Sequence, residues 1–383
     1  MEPTRIAGHL ANPRVALVHD WLNQVGGAED VLETLVGLYP DAPVYTSMYW
    51  RDAMPQHWQD WKIHTSFIDR LPGVYRRQQL YFPLYPLAFE QFDFRAYDLV
   101  ISNKSGFCHG IITGPETTHI CYCLTPTRYV WRYHQYAEQE NLGRWTRKAL
   151  APVVHYLRLW DRLAAERVDH FIAISEEVRR RIGKLYGREA TIIYPPVDTE
   201  RFKPAQRVDD FYLMVGRLVP YRRVDVLIEA FNRLGLPLYI AGSGRDRQRL
   251  EEMAGPNITF LGYVSDAELP DLMARCRAFM FPGEEDFGIA PLQAMASGRP
   301  VIAFAAGGAL ETVVPGTGVL FAKQTADAII EAVNRFEPER TDPMFIRAHA
   351  QKFDTSVFKR KLTEFVGQVT SKNEEGVSNR RRD

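Results

Sequence analysis

Short apolar, β-branched runs alternating with helical patterns predict an α/β protein with two doubly wound parallel-sheet domains. Three observations carry this prediction. The runs are almost continuously apolar, as in strands covered on both faces. Each is followed by a segment patterned like a helix. At 383 residues the chain is too long for one ordinary core and fits two domains.

In the first half the expected strands are "VALVHD" (15–20), "PVYTS" (43–47), "YDLVIS" (97–102), "HICYCL" (119–124), "HFIAIS" (170–175) and "TIIYPP" (191–196). In the second half they are "FYLMVG" (211–216), "PLYIAG" (237–242), "ITFLG" (258–262), "AFMFPG" (278–283) and "PVIAF" (300–304). Val224, Leu227, Ile228 and Phe231 recur at helical spacing and give one apolar stripe. The stretch 194–210, "YPPVDTERFKPAQRVDD", is rich in Pro and charge and reads as the linker between halves. Residues 371–383 are polar and read as a disordered tail. No tandem repeat is found.

Composition narrows the function. The chain is 46% hydrophobic and 25% charged, with a formal net charge of zero. That balance argues against a dedicated nucleic-acid binder. No run reaches the length needed to span a bilayer, and residues 1–14 lack an apolar signal core, which points to a cytoplasmic protein. Cys108, Cys121, Cys123 and Cys276 are expected as free thiols, with Cys121 and Cys123 read as facing opposite sides of a strand.

Several constellations could carry chemistry. In "VGRLVPYRRVD" (215–225), Arg217 and Arg222 follow a strand and precede a helix. Guanidinium groups in such a place suit a phosphate, since they donate in a planar fork. The plainer reading is solvated loop charges, and Arg223 is the expected bystander. In "PGEEDFGIAPLQAMASGRPVIA" (282–303), Glu285 sits at a loop tip and Gln293 is expected in the first helical turn, beside unpaired N–H groups. Pro291 suits that first turn and Gly298 the stop. Acid and amide together could read sugar hydroxyls, whereas the plainer reading makes Glu285 a helix cap or an arginine partner. The pairs Gly26–Gly27 in "NQVGGAED" and Gly307–Gly308 in "AAGGALET" each precede a helix and would let amides approach an anion. "GSGRDR" (242–247) falls short of the dinucleotide fingerprint. No two aspartates are two apart, so a D-x-D metal site is absent, and a phosphate would need protein cations.

These motifs resemble a known family. "VGRLVPYRRVDVLIEAF", "FLGYVSDAEL", "PGEEDFGIAPLQAMASGRPVIA" and "GGALETV" look like the C-terminal half of family 4 glycosyltransferases of the GT-B fold. "VHDWLNQVGGAEDVLETL", "YDLVISN" and "HYLRLWDRLAAERVDHFIAIS" look like the N-terminal half of the mannosyltransferase-like branch that builds surface polysaccharide and O-antigen. The resemblance runs over about residues 14–365. It implies two Rossmann-like domains facing a central cleft. Residues 1–200 would bind acceptor and residues 201–370 donor, with a last helix able to cross back.

The implied reaction is retaining, metal-independent transfer of a sugar, mannose foremost, from a nucleotide diphosphate donor, with no cofactor. The acceptor is a glycan or a polyprenyl-linked glycan, so a peripheral contact with the inner face of the cytoplasmic membrane is expected, and no nucleic acid. By the resemblance Arg217 and Arg222 hold the diphosphate, Glu285 the sugar hydroxyls and Gln293 the ribose. Gly26 and Gly27 lie near the transferred sugar, while Gly216, Gly288, Ile289, Gly307 and Gly308 line the donor site.

Three positions depart from the family pattern. Arg222 replaces Lys and keeps the charge. Gln293 replaces Glu, a difference of about 1 kcal/mol in donor binding. Leu124, in "CYCLTPTRYVW", replaces a His beside the reacting sugar, and losing such a bond costs roughly two to three orders of magnitude in rate. Thr125, Arg128 and His109 are the candidates to compensate. The alternative is a catalytically weakened donor-binding or scaffolding partner, and a sugar-nucleotide epimerase is the third reading. The segment 70–94 mixes arginines with aromatics. It is read as a helix packing those aromatics inward, against a membrane-resting alternative. The basic stretch 144–188 is read as a solvated helix face, with anionic lipid as its alternative.

Overall fold

The computed structural model of the protein describes residues 13–139 and 143–380. Most of the segment 1–14 therefore lies outside the described residues. The chain divides into two compact units. One is drawn from the chain up to residue 191, and the other from residue 192 onward together with residues 174–180. The unit boundary thus falls a few residues before the expected 200/201. The reason is packing: the predicted linker is anchored in the second unit. Phe202 and Thr199 are buried, and the buried Arg347 guanidinium donates to the carbonyls of Thr199 (3.1 Å), Ala296 (2.7 Å) and Phe202.

In the first unit, strands β1 (Val15–His19), β2 (Val44–Thr46), β3 (Ile63–Thr65), β4 (Leu99–Lys104), β5 (Thr118–Cys123), β6 (His170–Ala173) and β7 (Ala190–Ile192) form one sheet. Its order is β3-β2-β1-β4-β5-β6-β7. The pairs from β3 through β6 are parallel, with Leu17 of β1 opposite Val44 on one side and Ile101 on the other. In the second unit, β8 (Tyr212–Val215), β9 (Leu238–Ala241), β10 (Ile258–Gly262), β11 (Ala278–Phe281), β12 (Val301–Phe304) and β13 (Gly318–Phe321) run in the order β10-β9-β8-β11-β12-β13. All of those neighbours pair in parallel.

Both sheets show the same permutation: the third, second and first strands on one side, the fourth, fifth and sixth on the other. Each is a Rossmann-like sheet whose winding reverses between its first and fourth strands. Ligands bind outside the carboxyl ends of the strands at that reversal. The points to inspect are therefore β1/β4 and β8/β11.

The expected strands form, but the one read over 191–196 is cut to Ala190–Ile192, ahead of its two prolines. Edge strands β3 and β13 were not among them. "IHT" is short and mostly exposed, and "GVLF" is only partly buried, so neither carries a buried-strand pattern. The helix Val224–Leu234 presents Val224, Leu227, Ile228 and Phe231 to the second core, all at most 2% exposed. In the segment 70–94, Phe82, Tyr85 and Phe89 are buried in the first core, with Tyr85 edge-on to Trp21 at 5.8 Å, so the inward-packing reading holds.

Two expectations need correction. The tail continues the helix Thr355–Arg380, which groups with the second unit; residues 381–383 lie outside the described residues. All four cysteines are free and buried. Cys121 and Cys123, however, share one face of β5, because side chains two apart on a strand point the same way.

Candidate functional site

At the β8/β11 reversal the second unit gathers the predicted cations and acid. β8 delivers Gly216 and Arg217 to the carboxyl edge. A single 3-10 turn, Pro220–Arg222, then brings Arg222 back over it. The Arg222 guanidinium forms an ion pair with the Glu285 carboxylate, and the two side chains are only 15% and 18% exposed. Two glycines admit it. A Cβ on Gly216 would stand 3.3 Å from Arg222 Nη1, and one on Gly283 would stand 3.0 Å from Arg222 Cα. Arg217 is exposed beside this pair, its Nη2 donating to the Tyr221 hydroxyl at 3.4 Å. Arg223, the expected bystander, is neutralised by Asp225 at 3.1 Å and adopts φ +53°. The site therefore holds one screened cation, one exposed cation and one carboxylate within a few residues of a sheet reversal.

The loop after β11 leads into the helix Ile289–Ala296, with Gly288 at its N-cap in the left-handed region, φ +93°. The helix starts two residues before Pro291. Gln293 is thus its fifth residue and lies in the second turn, not the first as expected. A backbone N–H at that position already has a helical partner, so only its half-buried side chain remains for a ligand. Gly288 and Ile289 are the residues at the helix mouth. Gly307 and Gly308 also differ from expectation. A Cβ on Gly307 would stand 2.0 Å from the Glu285 carbonyl oxygen, and one on Gly308 would stand 2.2 Å from that of Phe287. The Gly308 amide donates to the Glu285 carbonyl at 2.9 Å. This pair lets two loops close on each other and fixes Glu285, so the Gly308 amide is engaged rather than offered to an anion.

"GSG" at 242–244 does similar work. Cβ atoms on Gly242 and Gly244 would meet the carbonyl oxygens of Gly216 and Leu218 at 2.0 and 2.2 Å. Sequence reading rejected this string as a dinucleotide fingerprint and missed its packing role.

In the first unit, Gly26 and Gly27 open the helix Gly27–Leu38, and the Gly26 carbonyl accepts from the amides of Glu29 and Asp30. Beside them, buried His19 lies 3.3 Å from Glu29 Oε1, and Asn103 Nδ2 sits 3.2 Å from His19 Nδ1. Two buried charges that sequence reading missed organise the β1/β4 edge. Asp20 is fully buried and accepts from the amides of Ser105, Gly106, Phe107 and Cys108 at 2.6–2.8 Å. Lys104, also fully buried, donates to the Thr125 carbonyl and to Thr127 Oγ1, both at 3.1 Å. Thr127 Oγ1 in turn contacts Asp161 Oδ1 at 2.6 Å, and Asp161 Oδ2 accepts from Trp131 Nε1 and Tyr186 OH. Burial works against the Lys104 charge, but the Asp161 carboxylate, with Asp20 adding to it, outweighs it, and its pKa is raised. The signal was present: a charged residue at the very end of an apolar run, in "VHD" and "ISNK", marks a strand edge where charge has a built partner.

Leu124, Thr125 and Arg128 occupy the loop that Lys104 holds. Leu124 is half-buried and its amide donates to the Lys104 carbonyl at 2.8 Å. Thr125 is buried, and its hydroxyl has no hydrogen-bond partner among the described residues. Arg128 is half-buried at the start of the helix Arg128–Trp131. His109 is not available to replace an imidazole at 124. It is fully buried, with Nε2 3.2 Å from the Asp161 carbonyl oxygen, and burial together with Lys104 pushes its pKa down to about 4.

Comparison with known proteins bears on the family and the fold. A family model described as Glycosyltransferase Family 4 matches residues 25–201, and one described as Glycosyl transferases group 1 matches residues 197–353. The chain belongs to glycosyltransferase family 4. Within that family it is 32% identical over 196 residues to a GDP-mannose-dependent monoacylated alpha-(1-6)-phosphatidylinositol monomannoside mannosyltransferase of Corynebacterium glutamicum, covering 43% of this chain and 51% of that protein. It is 27% identical over 163 residues to an O-antigen chain mannosyltransferase of Salmonella typhimurium, covering 38% and 45%. The chain spans about half the length of the curated relatives it matches. Anabaena HepE, solved in complex with UDP and glucose, shares the fold at a TM-score of 0.69 and 19% identity, covering 93% of this chain and 100% of that one. The paired Rossmann-like sheets are thus those of GT-B glycosyltransferases.

Proposed function

We propose that this family 4 protein transfers a sugar, mannose foremost, from a nucleotide diphosphate donor to a glycan or polyprenyl-linked acceptor in surface-polysaccharide synthesis, with retention and without metal. The observation that carries the proposal is the half-buried Arg222–Glu285 pair at the β8/β11 reversal, with Arg217 exposed beside it. The mannosyltransferases named above support the choice of sugar, and the HepE complex supports a nucleotide sugar.

In this reading the bond from the sugar's anomeric carbon to the diphosphate oxygen breaks, and the acceptor oxygen bonds that carbon on the same face. The acceptor proton goes to the departing diphosphate. Negative charge grows on the phosphates, where Arg217 and Arg222 meet it. Donors fixed before the reaction need not reorganise as charge develops. Glu285 accepts from the sugar hydroxyls and Gln293 from the ribose. A polyprenyl-linked acceptor would set this work at the inner face of the cytoplasmic membrane. Among the described residues no helix is long and apolar enough to cross one.

The test is nucleotide release by the purified protein with GDP-mannose and other nucleotide sugars, with lipid-linked acceptors, with and without chelator. Turnover that persists in chelator supports the proposal, and none across the whole panel would sink it. Arg222→Ala and Arg217→Ala should each lose a charge-assisted contact of about 1.5–3 kcal/mol, roughly tenfold to a hundredfold in kcat/KM. Normal turnover in either variant removes that residue from the role. A second reading, a weakened donor-binding partner, is favoured by Leu124 with His109 locked in the core. It predicts nucleotide-dependent thermal stabilisation without transfer, and gain of transfer in Leu124→His.

A further inference from the structure

We propose that the outward face of the helix Arg144–Glu166 is a docking surface for an anionic lipid bilayer. The helix buries Val154, Leu157, Trp160, Asp161 and Ala164 against the first core. A second, exposed face is the unexpected part. Residues 145, 149, 152, 156, 159 and 163 fall alternately four and three apart, the spacing of one continuous helical stripe. That stripe reads Trp, Ala, Pro, Tyr, Leu, Leu, and all of it is exposed. Trp145 is 80% exposed, Tyr156 49%, Leu159 54% and Leu163 57%. From residue 145 to residue 163 it extends roughly 27 Å at about 1.5 Å per residue. A solvated surface helix is normally polar along this face.

The charges beside the stripe choose its occupant. Arg144 and Lys148 are exposed, and Arg147, Arg158 and Arg162 are half-buried. Lys148 Nζ lies 5.4 Å from the Trp145 ring. Within the helix the acids are Asp161, which faces the core, and Glu166, exposed at its last residue. A second copy of the chain would set these cations against themselves. An anionic bilayer takes both halves of the pattern: lipid phosphates meet the Lys and Arg heads, and Trp and Tyr settle at headgroup level with leucines below them. This surface stands independently of the donor-site chemistry.

The experiment is vesicle co-sedimentation of the full chain with phosphatidylglycerol–phosphatidylcholine vesicles and with phosphatidylcholine alone, alongside light scattering without lipid. The wild type should partition onto the anionic vesicles at least about tenfold more strongly than onto the neutral ones. Leu159→Ser with Leu163→Ser, and separately Arg144→Glu with Lys148→Glu, should each weaken that partition about tenfold or more. These positions are exposed, so circular dichroism and melting temperature should match the wild type. Equal recovery with and without anionic lipid overturns the proposal, as does undiminished binding by both variants. A lipid-free dimer that Leu159→Ser with Leu163→Ser turns into a monomer overturns it in favour of a second copy.

Discussion

Arg222 and Glu285 neutralise each other when the site is empty, and that has a measurable consequence. A diphosphate must compete with the carboxylate for the guanidinium. Glu285→Gln removes the competitor, so a nucleoside diphosphate without sugar should bind about threefold to tenfold more tightly by calorimetry. Transfer should fall at the same time, because the sugar loses its charged acceptor. Unchanged or weaker diphosphate binding would separate Glu285 from the phosphate site. The second residue to test is Lys104. Lys104 and Asp161 are buried opposite charges bridged by Thr127 Oγ1, and removing one leaves the other buried without its counter-charge, at about 3–5 kcal/mol. Lys104→Met should therefore cost far more stability in chemical denaturation than the double change with Asp161→Asn. Simple additivity of the two would mean that the pair is not coupled.

Elements show why some of this site could be read in advance and some could not. The amphipathic helix Val224–Leu234 and the buried strands follow from periodicity, and the structure places them where the spacing did. The helix after Glu285 was read as starting at Pro291, because Pro favours a first turn. It starts earlier because Gly288 adopts a left-handed conformation and serves as the cap, a backbone fact that composition does not announce. The glycine pairs were read as anion cradles. At 307–308 the deciding term is the approach of another loop's carbonyls, and no local signal reports it. Gly308→Ala should cost about 3 kcal/mol or more, since its Cβ would stand 2.2 Å from a backbone oxygen and one loop must move. Thermal unfolding checks this, and a loss under about 1 kcal/mol would show that the loops yield easily. The helix Arg144–Glu166 was read by its charge alone. Its two apolar faces became distinct only when the core took one of them.

At the scale of the whole molecule, acid should loosen the fold before the carboxylates titrate. Burial lowers His109 to about 4 and His119 to about 3. The folded state keeps both rings neutral, while the unfolded chain protonates them near pH 6.5. Stability from this source is complete above that value and is lost as pH falls from 6.5 toward 4, by up to about 1.4 kcal/mol per pH unit for each ring. His119→Gln should show a shallower fall between pH 7 and 5 than the wild type in denaturant titrations. A wild-type stability flat across that range would mean the rings are not held neutral.

The sequence by itself determined the two parallel-sheet domains, the family, and the short list containing Arg217, Arg222 and Glu285. Those follow from periodicity and from motifs a few residues long, and both are local quantities. Only the tertiary structure decided that Arg222 meets Glu285, that Asp20 and Lys104 hold the β1/β4 edge, that His109 is sealed, and that one stripe of a basic helix is left to the outside. Each of these depends on which distant backbone or side chain comes within a few ångströms, and burial assigns that partner only once the sheets have formed.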